Sequence, residues 1–444
     1  MIYNRLIVAA IGFIRLEPYD GKLSRTVLRG GKDSNALLLP DYASVEMLYH
    51  PEYVGKPLAV GGDSEARHGI VLTANYIAKR SGVKTGMALW QAKQVCPDLI
   101  FVPPRMDLYL KFSSMLREIY SEYTNQVEPY GCDEAWLDVT DSFSLKGDGR
   151  KIAEEINRRV KKELGITVSI GISWNKIFAK LGSDYKKPDG ITEFNRTNYR
   201  ELIWKLPVSD LLYVGRSTNR TLQKYGIRTI GELARTDPSF LERQLGKMGL
   251  VIFSFANGWD DSPVAAESYH APIKSIGNST TTPRDLECDQ DVQIILMALT
   301  ESVAARLRKH GFKCNEVSIS IRDNDLYHFS RQKKIQEPTD ITDEIMKAAY
   351  QLFKENYHWS RPIRSLGIRA DDLVMGTVPV QLDLFMNEQR REKQEKLDRA
   401  VDEIRRRFGY HSVQRAFMYQ DKVLSSLDAQ KSHTVHPVGY FNGR

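Results

Sequence analysis

Tyr130-Gly131-Cys132-Asp133-Glu134-Ala135-Trp136-Leu137-Asp138-Val139-Thr140 sets two adjacent carboxylates just ahead of an apolar, strand-like run. Like charges at contact distance raise one another's pKa unless something positive lies between them, and a divalent metal is the usual compensator. Taken alone, the dipeptide fits a solvated surface turn better than a metal site. Its surroundings weigh against that reading. Pro40-Asp41-Tyr42-Ala43-Ser44-Val45-Glu46 lies upstream, and Gly171-Ile172-Ser173-Trp174-Asn175-Lys176-Ile177-Phe178-Ala179-Lys180 lies downstream, followed by Lys186-Lys187-Pro188-Asp189-Gly190.

Together these blocks resemble the signature segments of the Y-family (translesion) DNA polymerases, in the same order and at plausible spacing. The nearest subgroup looks like the bacterial UmuC-like or polymerase IV-like enzymes, and the resemblance runs from about Tyr42 to Phe385. It implies a multidomain α/β (α+β) chain with a ferredoxin-like polymerase palm, small fingers, a helical thumb and an α/β little finger. The implied activity is low-fidelity, template-directed DNA synthesis with two Mg2+ ions. Asp133 would bridge both ions, and Glu134 would hold the one that lowers the pKa of the primer 3′-hydroxyl. The family also carries an aspartate five positions before the residue that matches Tyr42. Here that position is Leu37, and Asp33 and Asp41, the nearest acids, are out of register. A one-residue shift on a strand reverses the face presented. A chain without that ligand also fits a catalytically impaired clamp- and DNA-binding factor. A palm-type nucleotidyl transferase or cyclase shares the metal chemistry but needs no thumb, little finger or clamp peptide.

The resemblance assigns further residues to the incoming nucleotide. Tyr42 matches the steric-gate aromatic, whose ring leaves no room for a 2′-hydroxyl. Thr73, Tyr76 and Lys79 match positions that converge on the triphosphate, and Lys187 matches the lysine that reaches its β and γ phosphates. At Lys79 many relatives carry Arg, and Lys binds as a point charge without the bidentate fork.

Composition agrees with a soluble, multidomain protein: 444 residues, 42% hydrophobic and 27% charged, where single cores stop growing near ~250 residues. The four cysteines show no metal-ligand spacing, so reduced thiols in a cytoplasmic protein without zinc are expected. A net charge of +7 favours a polyanionic partner, although residues 386–444 alone hold 12 Lys or Arg against 8 Asp or Glu. Leu6 to Ile14 reads as a strand, and no apolar run approaches the ~20 residues needed to span a membrane.

The chain divides into 1–46 (divergent N-terminus and first part of the palm), 47–103 (fingers) and 104–190 (second part of the palm). A thumb with a helix-hairpin-helix-like motif follows at 191–262, a linker at 263–273, a little finger at 274–373 and a tail at 374–444. In the palm, periodicity predicts helices over Met106–Tyr123 and Ile152–Leu164, and the alternation of Ile166, Val168, Ile170 and Ile172 predicts a half-buried strand. Residues 271–372 hold 15 Lys or Arg and 15 Asp or Glu, so a DNA face there needs segregated charge. Arg322, Arg331, Lys333 and Lys334 are the candidates. Gln381-Leu382-Asp383-Leu384-Phe385 resembles the peptide by which bacterial polymerases dock on the sliding clamp, ahead of a charged helix over Glu388–Phe408. The last ~35 residues read as poorly packed. Expected partners are primer-template DNA, deoxynucleoside triphosphates and the sliding clamp, with no membrane and a monomeric protein.

Overall fold

The protein's structure, a computed structural model, describes residues 7–14, 42–62, 69–269, 272–376 and 388–429. They fall into two compact units that part between residues 269 and 272. Among them no helix is long and apolar enough to cross a membrane.

In the first unit, β1 (Ile7–Ile14) precedes α1 (Tyr42–Tyr49). A small fingers layer follows: β2 (Leu58–Gly61), β3 (Val71–Ala74), α2 (Tyr76–Arg80), α3 (Leu89–Val95) and β4 (Ile100–Val102), with sheet order β3-β2-β4. The palm continues with α4 (Met106–Ser121), β5 (Val127–Tyr130), β6 (Glu134–Asp138), α5 (Phe143–Lys146), α6 (Gly149–Leu164), β7 (Thr167–Ser173), α7 (Lys176–Tyr185) and β8 (Ile191–Glu193). Its five-stranded sheet has the order β5-β6-β1-β7-β8. The apolar run read as a strand thus takes the central position, antiparallel to both neighbours, with Ile11 opposite Glu134.

Local sequence explains these elements. Asp148 caps α6 by accepting from Lys151 N at 2.8 Å, and Ile152, Ile156, Val160 and Leu164 repeat along its buried face. With Tyr109, Phe112, Leu116 and Ile119 of α4, they build the core on one side of the sheet. The other side is where the expected half-buried strand fails. Thr167, Ser169 and Ser173 are as buried as the isoleucines between them. The cause is α7, which packs across β7 at Gly171. A Cβ at Gly171 would sit 1.9 Å from the Ala179 carbonyl, so glycine is what admits the helix.

Five short helices complete the unit: α8 (Tyr199–Leu202), α9 (Arg216–Lys224), α10 (Ile230–Arg235), α11 (Pro238–Leu245) and α12 (Lys247–Ala256). The α9–α10 turn passes through Gly226 at φ +78°, and Thr229 with Glu232 forms a capping box that starts α10. Their core reaches back to Trp136 of β6 and Phe178 of α7.

The second unit is an antiparallel sheet of order β11-β10-β12-β9, made of β9 (Ile276–Leu286), β10 (Phe312–Asp323), β11 (His328–Thr339) and β12 (Ile363–Met375). One face carries α13 (Asp289–His310) and α14 (Thr342–Asn356) over an aliphatic core. Beyond β12 stand α15 (Glu388–Phe408) and α16 (Lys422–Ser425). The expectation of a poorly packed end does not hold for residues 410–429. Tyr410, Met418, Leu424 and Ala429 are all buried, the last three within the same core as α13.

Candidate active site

Asp133 and Glu134 lie where β6 begins, both less than a tenth exposed. Burial raises the pKa of both carboxyls, that of Asp133 well above the usual carboxylate range. The Glu134 charge pushes Asp133 further, and Lys180 and Lys187 oppose the shift at both acids. Lys180 Nζ stands 3.2 Å from Glu134 Oε1, an ion pair without hydrogen-bond alignment, since that oxygen has no hydrogen-bond partner among the described residues. The same ammonium bonds Asp184 Oδ2 at 2.7 Å, and Lys187 Nζ bonds Asp184 Oδ1 at 2.6 Å. Burial opposes charge on Lys180 and on Asp184. Their mutual pairing wins, raising Lys180 and lowering Asp184 to about 2.

The acids and the two lysines therefore form one electrostatic cluster. Its spacing follows from α7: Lys180 and Asp184 are one helical turn apart, and Lys187 follows three residues later. Asp184 is absent from the residues singled out in the sequence, and the Lys-x-x-x-Asp spacing was the available signal. Trp136 anchors the strand against α7 by donating from Nε1 to the Lys176 carbonyl at 2.9 Å.

Tyr42 opens α1 and is 1% exposed. Its ring stacks on Tyr109 of α4 with centroids 3.9 Å apart and planes 8° from parallel. Burial, with Cys132 and Asp133 nearby, pushes its phenol pKa up, which places it beside the acid pair. Thr73, buried, is the penultimate residue of β3, two residues before Asn75, the cap of α2. The Asn75 side chain accepts from Ala78 N at 3.0 Å and donates to the Lys56 carbonyl at 2.7 Å. Its contact with Met47 Sδ at 3.8 Å ties this turn to the helix that carries Tyr42. On the turn, Lys79 Nζ stands 4.9 Å from the centre of the Tyr76 ring.

Leu37, Asp33 and Asp41 lie outside the described residues, as do Gln381, Leu382, Asp383, Leu384 and Phe385. The strand beside the acid pair, Ile-Val-Ala-Ala-Ile-Gly-Phe-Ile, has no carboxylate in its sequence. Among the described residues no group of three or more His, Cys, Asp or Glu is arranged around a metal position. Two buried carboxylates, one with an oxygen free of hydrogen bonds, are nonetheless the donor chemistry that a hard divalent cation requires, and they fit such an ion.

In the second unit, register separates the candidate DNA-binding cations. Arg331 lies opposite Ile319 and Lys333 opposite Val317, both core residues, so these two share the helix-covered face. Arg331 Nε donates to Asn356 at 3.2 Å and Lys333 pairs with Glu355 at 3.4 Å, both near the end of α14. Arg322, opposite His328, and Lys334, opposite Glu316, belong to the open face. That face also presents Ser320 and Ser330, with Arg369 bonded to Asp371 at 2.8 Å.

A palm sheet bearing a buried acid pair and flanking lysines, with fingers, thumb and a separate α/β unit, defines a nucleotidyl-transferring polymerase. The sequence model of the impB/mucB/samB family matches residues 41–184, and that of its C-terminal domain matches residues 273–384. DNA polymerase IV of Acetivibrio thermocellus is 51% identical over 386 residues, covering 87% of this chain and 97% of that protein. DNA polymerase IV of Clostridium kluyveri is 39% identical over 383 residues, covering 85% and 94%. Among solved structures, a Y-family DNA polymerase chimera of Dbh and Dpo4 aligns with a TM-score of 0.68 at 23% identity, over 83% of this chain and 99% of that one. DinB from Sulfolobus solfataricus aligns with a TM-score of 0.51 at 25% identity over the same shares. The chain belongs to the impB/mucB/samB family, with DNA polymerase IV proteins among its relatives.

Proposed function

We propose that this chain is a DNA-directed DNA polymerase that carries out low-fidelity translesion synthesis in the bacterial cytoplasm, as a monomer. The observation that supports it most is the buried acid pair Asp133–Glu134 facing Lys180, Asp184 and Lys187. Asp133 and Glu134 would hold two Mg2+ ions, which when bound supply charge neutralisation at the triphosphate and at the primer hydroxyl. Lys187 steers the β and γ phosphates, and Asp184 keeps its ammonium in place before the nucleotide arrives. Thr73, Tyr76 and Lys79 add donors along the triphosphate. Tyr42 excludes the 2′-hydroxyl by volume. The fingers are one three-stranded sheet with two short helices, a small surface for checking the nascent pair, in keeping with low fidelity.

Of the four candidate cations, Arg322 and Lys334 contact primer-template phosphates from the open sheet face, whereas Arg331 and Lys333, engaged with Asn356 and Glu355, add only long-range charge. Gln381 to Phe385 docks on the sliding clamp.

The experiment is Mg2+-dependent primer extension on undamaged and lesion-bearing templates. Distributive incorporation on both is expected. Folded protein that binds primer-template DNA yet adds no nucleotide would overturn the polymerase reading in favour of a non-catalytic DNA-binding factor.

A further inference from the structure

Tyr42 and Glu46 are one turn apart on α1, so both project toward the start of α4. There Tyr109, fully buried, meets them both. Its ring lies flat on Tyr42 at 3.9 Å, and its hydroxyl donates to Glu46 Oε1 at 2.6 Å. Arg105, the residue before α4, donates from Nε to the same oxygen at 3.0 Å and holds its guanidinium 5.2 Å from the Tyr49 ring. Among the described residues the Tyr42 hydroxyl has no oxygen or nitrogen partner, and beside it stands the Cys132 thiol, a weak hydrogen-bonding group. Its ring orientation therefore comes chiefly from stacking, and the ring it stacks on is itself fixed by a buried carboxylate.

We propose that Tyr109 is a specificity-determining positioning residue, a platform that sets where the Tyr42 ring stands and hence how strictly ribonucleotides are refused. Glu46 and Arg105 lock the platform. The inference rests on the reading of Tyr42 as the sugar gate. A ring free to tilt by a fraction of its own thickness opens the volume that a 2′-hydroxyl needs. Loss of the platform therefore relaxes discrimination even though Tyr42 is unchanged.

The test is single-nucleotide incorporation with a deoxynucleotide and the matching ribonucleotide, in the full-length protein, scored as the ratio of kcat/KM values. Tyr42→Ala should lower the ratio on the order of 100-fold, Tyr109→Leu about 10-fold, and Tyr109→Phe, which keeps the ring but loses the Glu46 bond, about 3-fold. Tyr42→Ala combined with Tyr109→Leu should fall no lower than Tyr42→Ala alone, because the platform acts only through the gate. A purely structural role for Tyr109 would lower both efficiencies together and leave the ratio at the wild-type value, which would refute the platform. If Tyr109→Leu does not fold, Tyr109→Phe decides on the same criterion. An unchanged ratio in Tyr42→Ala would remove the gate reading and the platform with it, whereas a fall in Tyr42→Ala with none in either Tyr109 variant would remove the platform alone.

Discussion

Each unit of this chain holds a cluster of buried charge, the palm acids in one and the α15 seam in the other, and the two clusters are treated in opposite ways. On the second unit, α15 docks through its charged face. Arg405 bonds Glu301 at 2.9 Å with each side chain about a twentieth exposed, and Arg308 pairs with Asp398 at 3.2 Å and Asp402 at 2.6 Å. Asp398 also accepts from Thr342 N at 2.8 Å, and Arg415 reaches Glu301 and Asp343. Leu397, Ile404 and Phe408 of the same helix are left exposed. In the palm, Asp133 has no ion-pair partner among the described residues, and Glu134 shares a single ammonium with Asp184. Charge buried for docking is matched by partners, because an unmatched ion costs several kcal/mol. Charge buried for chemistry is left short, so that a bound cation and a substrate can complete it.

Opposite responses to neutralisation sharpen that comparison. Asp133→Asn should cut nucleotide incorporation on the order of 10³-fold or more, yet leave the melting temperature equal or higher, since it removes an acid that burial disfavours. Glu301→Ala should do the reverse. Breaking a buried pair costs about 3–5 kcal/mol, read as a lowered denaturation midpoint, while incorporation per folded molecule is retained. Equal loss of stability in both variants would erase the distinction.

Titration carries the same contrast with opposite sign. The Asp133 carboxyl has a folded-state pKa above its ordinary 3.8, so between those two values the folded protein binds more protons than the unfolded chain. Its contribution is favourable at low pH and is lost as pH rises through the raised pKa. Asp291 is buried, which raises its pKa, but the Arg284 guanidinium more than reverses this and holds it below 3.8. Its contribution is present above the unfolded value and is lost as pH falls. Denaturant melts without divalent cations should show the stability gain of Asp133→Asn growing from pH 4 to pH 8. The deficit of Asp291→Asn should shrink as pH drops below about 4. Parallel pH trends would contradict the assignment of matched and unmatched acids.

How much of this is legible in the sequence depends on whether the signal is local. The acid pair, the strand over residues 7–14 and the charged helix over Glu388–Phe408 were readable, because each is a run of neighbouring residues with a period or a charge pattern. The face that a helix buries is not local. Polar residues on α15 suggest a solvated helix, and it is the charged partners on α13, α14 and β10 that turn them inward. The same holds for β7, where Ser169 and Ser173 look like a wet face until α7 covers them. In the site, Tyr109 was unreadable because its meaning arises from a ring 67 residues away in sequence.

The smallest expected effect divides the two faces of a single sheet. Arg322 of β10 and Lys334 of β11 project from the open face of the second unit, while Arg331 and Lys333, at alternate positions of β11, are engaged with Asn356 and Glu355. A cation that meets a phosphate releases about one counterion, and its loss lowers the salt slope of binding by about one. Combining Arg322→Ala with Lys334→Ala should therefore weaken primer-template binding a few-fold at moderate salt and flatten log Kd against log salt by about two. Arg331→Ala with Lys333→Ala removes the same formal charge from the same sheet. If only the long-range field of the unit mattered, the two double variants would be indistinguishable. Direct phosphate contact from the open face predicts that the second pair leaves the slope almost unchanged, and fluorescence anisotropy across a salt series measures both.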